Sequence, residues 1–121
     1  TLQGARIVVV DDSIVRGTTT KPLVALLRAA GASEVHLRIA SPPVLHQCYM
    51  GVDMGEQLIA VGRTVDEIAR ELGADSLAYL SVDGLARAIG VQGLCRACFD
   101  GNYPIPVDEG FEKSSFEGGI R

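Results

Sequence analysis

The chain has 121 residues, of which 47% are hydrophobic, and its formal net charge is −4. This length suits one domain with a modest core, and the hydrophobic content excludes disorder throughout the chain. No apolar run approaches the roughly 20 residues of a membrane span, and no secretory signal opens the chain, so we predict a cytoplasmic protein without a membrane partner. Lys and Arg are not concentrated in any stretch, which argues against nucleic-acid binding.

The first part of the chain predicts a strand, a helix and a second strand. Residues 7–10 are four branched apolar residues, a run typical of a strand that is buried on both faces. Residues 34–40 alternate loosely between apolar and polar side chains, which predicts a strand with one wetter face. Between these strands, residues 19–30 have helical spacing, with an apolar face made of Leu23, Leu26, Leu27 and Ala30.

A long loop separates these elements from the next ones. Residues 44–62 contain three glycines and predict a loop, with a short helix near residues 56–60. Thr64 and Glu67 have the spacing of a capping box, in which each residue hydrogen-bonds the backbone N–H of the other. The helix that they open is followed by a third strand at residues 76–80.

The last predicted element is a helix between Ser81 and Gly90. Strands that alternate with helices in this order predict right-handed crossovers and a parallel α/β sheet. From residue 108 onward the composition turns to Gly, Ser, Glu and Lys. We therefore predict one domain over residues 1–107 and a mobile tail over residues 108–121.

Two adjacent carboxylates, Asp11 and Asp12, follow the first strand, and a loop with small and hydroxyl side chains leads into the first helix. Free backbone N–H groups and the positive end of the helix dipole meet at such a turn, which predicts an anion site. The carboxylates would repel a simple anion. A ribose 5-phosphate matches both features, because its phosphate suits the loop and its hydroxyls, or a chelated cation, suit the carboxylates. An Asp pair alone can also cap a helix or form a turn.

The stretch at residues 9–19, VVDDSIVRGTT, resembles the phosphoribosyl pyrophosphate (PRPP) motif of the type I phosphoribosyltransferases. Its SIVRGTT portion is similar to one family among them, the glutamine PRPP amidotransferases. Three further stretches, at residues 41–54, 72–81 and 93–104, resemble the same family in the expected order. The resemblance covers residues 5–107 and implies part of a parallel-sheet type I phosphoribosyltransferase fold, which is Rossmann-like.

The resemblance implies which residues bind PRPP. Asp11 and Asp12 would contact the ribose hydroxyls and help to hold Mg²⁺. The following loop would wrap the 5-phosphate with backbone N–H groups and hydroxyls, and its members are Ser13, Ile14, Val15, Arg16, Gly17, Thr18 and Thr19. In this family ammonia displaces pyrophosphate from C1 of PRPP, a reaction that needs positioning and charge stabilisation. No residue of the chain is an evident general acid or base for it.

The chain has three cysteines, Cys48, Cys95 and Cys98. An odd number of cysteines indicates free thiols in a reducing compartment rather than disulfide bonds. The Cys-x-x-Cys spacing of the last two suits two thiolates that hold one metal or cluster. The resemblance implies a [4Fe–4S] cluster, as in a subset of the family, with a fourth cysteine upstream of Thr1. Zinc completed by His46 and three inert thiols are the alternatives.

The resemblance also implies that the chain is the C-terminal portion of a phosphoribosyltransferase domain. We expect the N-terminal glutaminase domain and the flexible catalytic loop of such an enzyme to lie outside this sequence, so that the chain is inactive alone. Its expected ligands are PRPP and purine nucleotides, and a homo-oligomer is expected. Two other functions stay open, a non-catalytic sensor of PRPP or nucleotides on the same fold and a small iron–sulfur or zinc protein.

Overall fold

The computed structural model describes residues 1–107, which contain a three-stranded parallel sheet in the order β1-β2-β3. The predicted parallel α/β fold is therefore confirmed, whereas the predicted mobile tail lies outside the described residues. None of the described helices is long and apolar enough to cross a membrane. The elements in chain order are β1 (Arg6–Asp11), α1 (Thr20–Ala29), β2 (Glu34–Ile39), α2 (Val65–Leu72), β3 (Ser76–Tyr79), α3 (Val82–Ile89) and α4 (Ala97–Asp100).

Strand β2 forms the centre of the core. Its alternate side chains Val35, Leu37 and Ile39 are at most 4% exposed, which confirms the predicted alternation. Leu37 pairs with Val9 on β1 and with Leu77 on β3, so one face of the sheet carries a continuous apolar row. Helices α1 and α2 cover this face, and their buried side chains join the same cluster.

Helix α2 begins at the predicted capping box. The backbone N–H of Thr64 donates to Glu67 Oε2 (2.7 Å), and the backbone N–H of Glu67 donates to Thr64 Oγ1 (3.2 Å). Ile68, Ala69 and Leu72 are buried against the sheet. Two donors that a helix start would leave without partners are thus bonded by the helix's own residues.

Strand β1 is not buried on both faces, which corrects the sequence prediction. Val8 and Val10 are 59% and 74% exposed, whereas Ile7 and Val9 pack against the core. The difference arises because β1 lies at one edge of the sheet and both α1 and α2 pack on the other face. Within residues 1–107 no element covers the side chains of Val8 and Val10.

The face of helix α1 that meets the core also differs from the prediction. Thr20 and Val24 are buried and Leu27 is partly buried, a spacing of four and three residues along one helix face. Leu26, by contrast, is 66% exposed, and Leu23 and Ala30 are also exposed. The positions of the leucines therefore did not identify the buried face of this helix. The side of α1 that packs on α2 and β2 carries the smaller Val24 instead.

The long loop contains no helix near residues 56–60, where a short one was predicted. Residues 59–62 form a turn instead, and Ile59 and Ala60 are buried. The one-turn helix α4 was not predicted. It ends at Gly101 and its Ala97 is buried.

Candidate functional site

A cavity of about 330 Å³ opens at the carboxyl end of β1. Residues 11–20 line one side of it, so the structure brings all nine predicted PRPP-binding residues to one place. Asp11, the first of these residues, is the last residue of β1. Its position is fixed by the sheet, because the backbone N–H of Ala40 donates to the carbonyl of Asp11 (2.9 Å) and extends the pairing with β2. Helix α1 begins where the lining ends.

The two carboxylates at the cavity are oriented by their neighbours. The backbone N–H of Asp12 donates to Asp11 Oδ1 (2.9 Å), and the hydroxyl of Ser13 donates to Asp12 Oδ1 (3.0 Å). Asp11 is half-buried and Asp12 is exposed. Adjacent carboxylate oxygens at the mouth of a cavity are suitable acceptors for sugar hydroxyls and suitable ligands for Mg²⁺.

The backbone N–H groups just before helix α1 lack hydrogen-bond partners among residues 1–107. None of the N–H groups of residues 13–20 donates a hydrogen bond to another residue within the described part of the chain. Thr19 is the N-cap of α1, yet its side chain makes no capping hydrogen bond, and the first turn of α1 contains no acidic residue. A helix start with free donors attracts anionic groups.

The loop at residues 13–19, called here the phosphate loop, is held by packing. Ile14 is 1% exposed, and its side chain belongs to the core cluster. The backbone N–H of Ile59 donates to the carbonyl of Val15 (2.9 Å). Gly17 has φ +77°, and a Cβ there would lie 2.9 Å from side-chain carbons of Ile59 and Leu72. Only glycine fits this conformation at this distance.

The opposite side of the cavity is lined by Val52, Asp53 and Met54, which we call the 52–54 wall. The sequence did not predict Val52 and Met54 as site residues. They come from the long loop, about 40 positions beyond Asp11, and no local pattern marks them. Arg16 of the phosphate loop reaches the same loop, since a Cβ on Gly55 would lie 3.1 Å from Arg16 Nη1.

The three cysteines are free thiols in neighbouring parts of the structure. Burial, and then the nearby thiols of Cys48 and Cys95, raise the pKa of the Cys98 thiol. The backbone N–H groups of Leu45 and His46 both donate to the carbonyl of Cys98 (2.9 and 3.0 Å). The structure therefore places the loop that carries Cys48 beside the Cys-x-x-Cys segment.

No three His, Cys, Asp or Glu side chains among residues 1–107 are grouped to hold a single metal ion. The ring of His46 lies 3.1 Å from where a Cβ on Gly101 would be. A four-iron cluster makes a different demand, because each thiolate binds a different iron. The described residues do not test the [4Fe–4S] cluster, which stays a prediction.

Comparison with known proteins finds relatives that match most of this chain. No protein-family model matches the chain. The chain is 51% identical over 117 residues to the amidophosphoribosyltransferase of Synechococcus elongatus, which covers 93% of the chain and 24% of that relative. It is 52% identical over 114 residues to the enzyme of the same name from Methanocaldococcus jannaschii, with the same two coverages.

Two solved structures are similar in fold. One is the glutamine PRPP amidotransferase from B. subtilis complexed with ADP and GMP, with a TM-score of 0.84, 47% identity, and coverage of 91% of this chain and 26% of that one. The other is described as the allosteric regulatory enzyme of purine biosynthesis, with a TM-score of 0.83 and 49% identity. The chain thus spans about a quarter of the length of the relatives that it matches.

Proposed function

We propose that this chain is the PRPP-binding part of an amidophosphoribosyltransferase, the enzyme that transfers glutamine-derived ammonia to C1 of PRPP. The products are 5-phosphoribosylamine and pyrophosphate, and the reaction is the first step of de novo purine synthesis. The observation that carries this proposal is the cavity at β1, whose lining joins two oriented carboxylates to a loop whose backbone N–H groups donate to no residue within 1–107. Similarity to enzymes of that name over 93% of the chain supports it.

Within this proposal the phosphate loop binds the 5-phosphate. Its free amides and the N-terminus of α1 supply positive electrostatic potential, and the hydroxyls of Thr18 and Thr19 are exposed at the cavity. Asp11 and Asp12 accept hydrogen bonds from the ribose hydroxyls. The same carboxylates help to hold a Mg²⁺ ion, whose chemistry would be to neutralise the pyrophosphate that leaves.

The cysteines carry a second part of the proposal. We infer that Cys48, Cys95 and Cys98 hold a [4Fe–4S] cluster together with a fourth ligand from outside this sequence. The cluster would be structural, since it would fasten the loop after β2 to the segment around α4, which two hydrogen bonds to the Cys98 carbonyl already join. Iron and acid-labile sulfide analysis of the full-length enzyme, purified without oxygen, tests this inference. A full-length enzyme that binds no iron under those conditions would refute it.

The remaining assignments follow from the same proposal. Residues 1–107 would be the C-terminal portion of a phosphoribosyltransferase domain, and a glutaminase domain would precede it in the full-length enzyme. Purine nucleotides are proposed as further ligands, because the similar B. subtilis structure is described as a complex with ADP and GMP. A homo-oligomer in a reducing cytoplasm is consistent with the exposed Val8 and Val10 and with the free thiols.

An assay of the full-length enzyme that contains this segment tests the function. With Mg²⁺, PRPP and glutamine, we expect equal amounts of pyrophosphate and glutamate to be released, and we expect no turnover from residues 1–121 alone. A full-length protein that binds PRPP without releasing pyrophosphate would indicate a sensor instead. A full-length protein that does not bind PRPP would refute both.

A further inference from the structure

The 52–54 wall needs a support that secondary structure does not give. Residues 44–62 contain no helix or strand, and Val52 is 57% exposed. A loop of this kind is mobile unless side chains or backbone groups fasten it to the rest of the fold. A wall that moves would change the shape of the sugar-phosphate cavity.

Gln47 supplies that support from the start of the same loop. Its side-chain Nε2 donates to the carbonyl of Gly55 (2.7 Å), directly after the wall. The backbone carbonyl of Gln47 accepts a hydrogen bond from the hydroxyl of Tyr103 (2.6 Å). Gln47 is half-buried, so both hydrogen bonds are partly shielded from water. One residue thus joins the wall to the segment that follows α4.

Gly55 also contacts the phosphate loop, through the side chain of Arg16. The guanidinium of Arg16 lies against Gly55, where an added Cβ would be 3.1 Å from Nη1 and 3.3 Å from Cδ. Gly55 therefore lies between the side chain of Gln47, which fixes its carbonyl, and the side chain of Arg16, which packs on its backbone. Movement of Gly55 would therefore disturb both the 52–54 wall and the phosphate loop.

From this arrangement we propose that Gln47 is a positioning residue of the sugar-phosphate site. Gln47 is not among the residues that line the cavity, and it acts by fixing the 52–54 wall and the Arg16 contact through Gly55. The inference rests on the proposed function, because the ligand whose binding it affects is PRPP. A residue that shapes a binding cavity changes KM for PRPP more than kcat, since the reacting atoms are untouched.

The test compares Gln47→Met with Gln57→Met in the full-length enzyme, assayed with ammonia as the nitrogen donor. Both substitutions remove an amide from the same loop without adding charge, but the exposed Gln57 side chain makes none of the hydrogen bonds described within residues 1–107. We expect Gln47→Met to raise KM for PRPP about 3- to 10-fold with kcat within twofold, as loss of one partly shielded hydrogen bond implies. Gln57→Met should leave both constants within twofold.

Tyr103→Phe provides a second test, because it removes one oxygen atom and preserves the edge-to-face contact with Tyr49. We expect it to raise KM for PRPP about 2- to 5-fold. Unchanged KM in both Gln47→Met and Tyr103→Phe would overturn the inference, as would a fall in kcat with KM unchanged. If the unmodified enzyme itself fails to bind PRPP, the proposed function is wrong. If it binds PRPP normally and the variants match it, only the role of Gln47 is wrong.

Discussion

Helices α1 and α2 begin in opposite ways although both pack on the same face of the sheet. Helix α2 has a complete capping box and two acidic residues in its first turn, Asp66 and Glu67. Helix α1 has neither a side-chain cap at Thr19 nor an acidic residue in its first turn. Capping usually stabilises a helix by about 1 kcal/mol, so α1 lacks a stabilisation that is readily available to a threonine.

This difference agrees with the proposal that the start of α1 binds a ligand. Side chains bond two backbone N–H groups at the start of α2, those of Thr64 and Glu67. Residues 13–19 before α1 line a cavity instead, and their backbone N–H groups donate to no residue within 1–107. Without caps, the phosphate loop depends on Ile14 and Gly17, which pack into the core. The residues that pack this loop against the core, Ile14 and Gly17, are thus different from the exposed residues at the cavity, Thr18 and Thr19.

The largest expected effect comes from breaking the packing of the phosphate loop. Gly17→Ala places a Cβ 2.9 Å from Ile59 and Leu72 at a φ of +77°, and we expect it to destabilise the protein by about 2–3 kcal/mol. Gly62→Ala is the matched control, because Gly62 has φ +71° and open space around it. Urea unfolding measures both variants. Equal losses of free energy of unfolding would show that packing at Gly17 contributes nothing.

A smaller effect should follow from removing the hydroxyls at the open helix start. We expect Thr18→Ala with Thr19→Ala to weaken PRPP binding about 10-fold, because in the proposed complex each hydroxyl would donate one hydrogen bond to the phosphate. The free energy of unfolding should stay within about 0.5 kcal/mol, since Thr19 forms no cap. Calorimetric titration and urea unfolding give the two values. A loss of stability with unchanged PRPP affinity would assign these hydroxyls to structure.

The reverse outcome is expected at α2. Thr64→Ala removes the acceptor for the Glu67 backbone N–H, and we expect the free energy of unfolding to fall by about 1 kcal/mol. PRPP affinity should not change, because the capping box is not part of the cavity lining. The same two measurements apply here, and weaker PRPP binding by this variant would contradict the separation of the two helix starts.

The smallest effect concerns pH. The Thr64 backbone N–H donates to the Glu67 carboxylate and lowers the pKa of Glu67 below its usual value of 4.5. A carboxyl whose pKa is lower in the folded state stabilises the fold above pH 4.5, and this stabilisation is lost as pH falls through the lowered pKa. Urea unfolding of the chain and of Glu67→Gln should therefore give a difference that narrows below pH 4.5. A difference that stays constant between pH 7 and pH 3 would argue against this assignment.

Local patterns predicted some parts of this molecule well. The capping box of α2, the alternation in β2 and the position of the phosphate loop each depend on residues within a few positions of one another. A donor and acceptor three residues apart, or side chains that alternate along a strand, form the same contacts in almost any fold.

Other features depend on contacts between distant residues and could not be read from the sequence. The exposure of Val10 follows from the place of β1 at the edge of the sheet. The burial of Val24 rather than Leu26 follows from how α1 crosses its neighbours. The support of the 52–54 wall by Gln47 joins positions that only the folded loop brings together.

The central claim is that the carboxylates at the end of β1 and the open start of α1 form one PRPP site. Calorimetric titration of PRPP in Mg²⁺ tests it most directly, with the unmodified full-length enzyme compared with Asp11→Asn plus Asp12→Asn. Each substitution preserves size and removes a charged acceptor, so the account predicts binding about 100-fold weaker or lost. PRPP affinity of the double variant within twofold of the unmodified enzyme would contradict it.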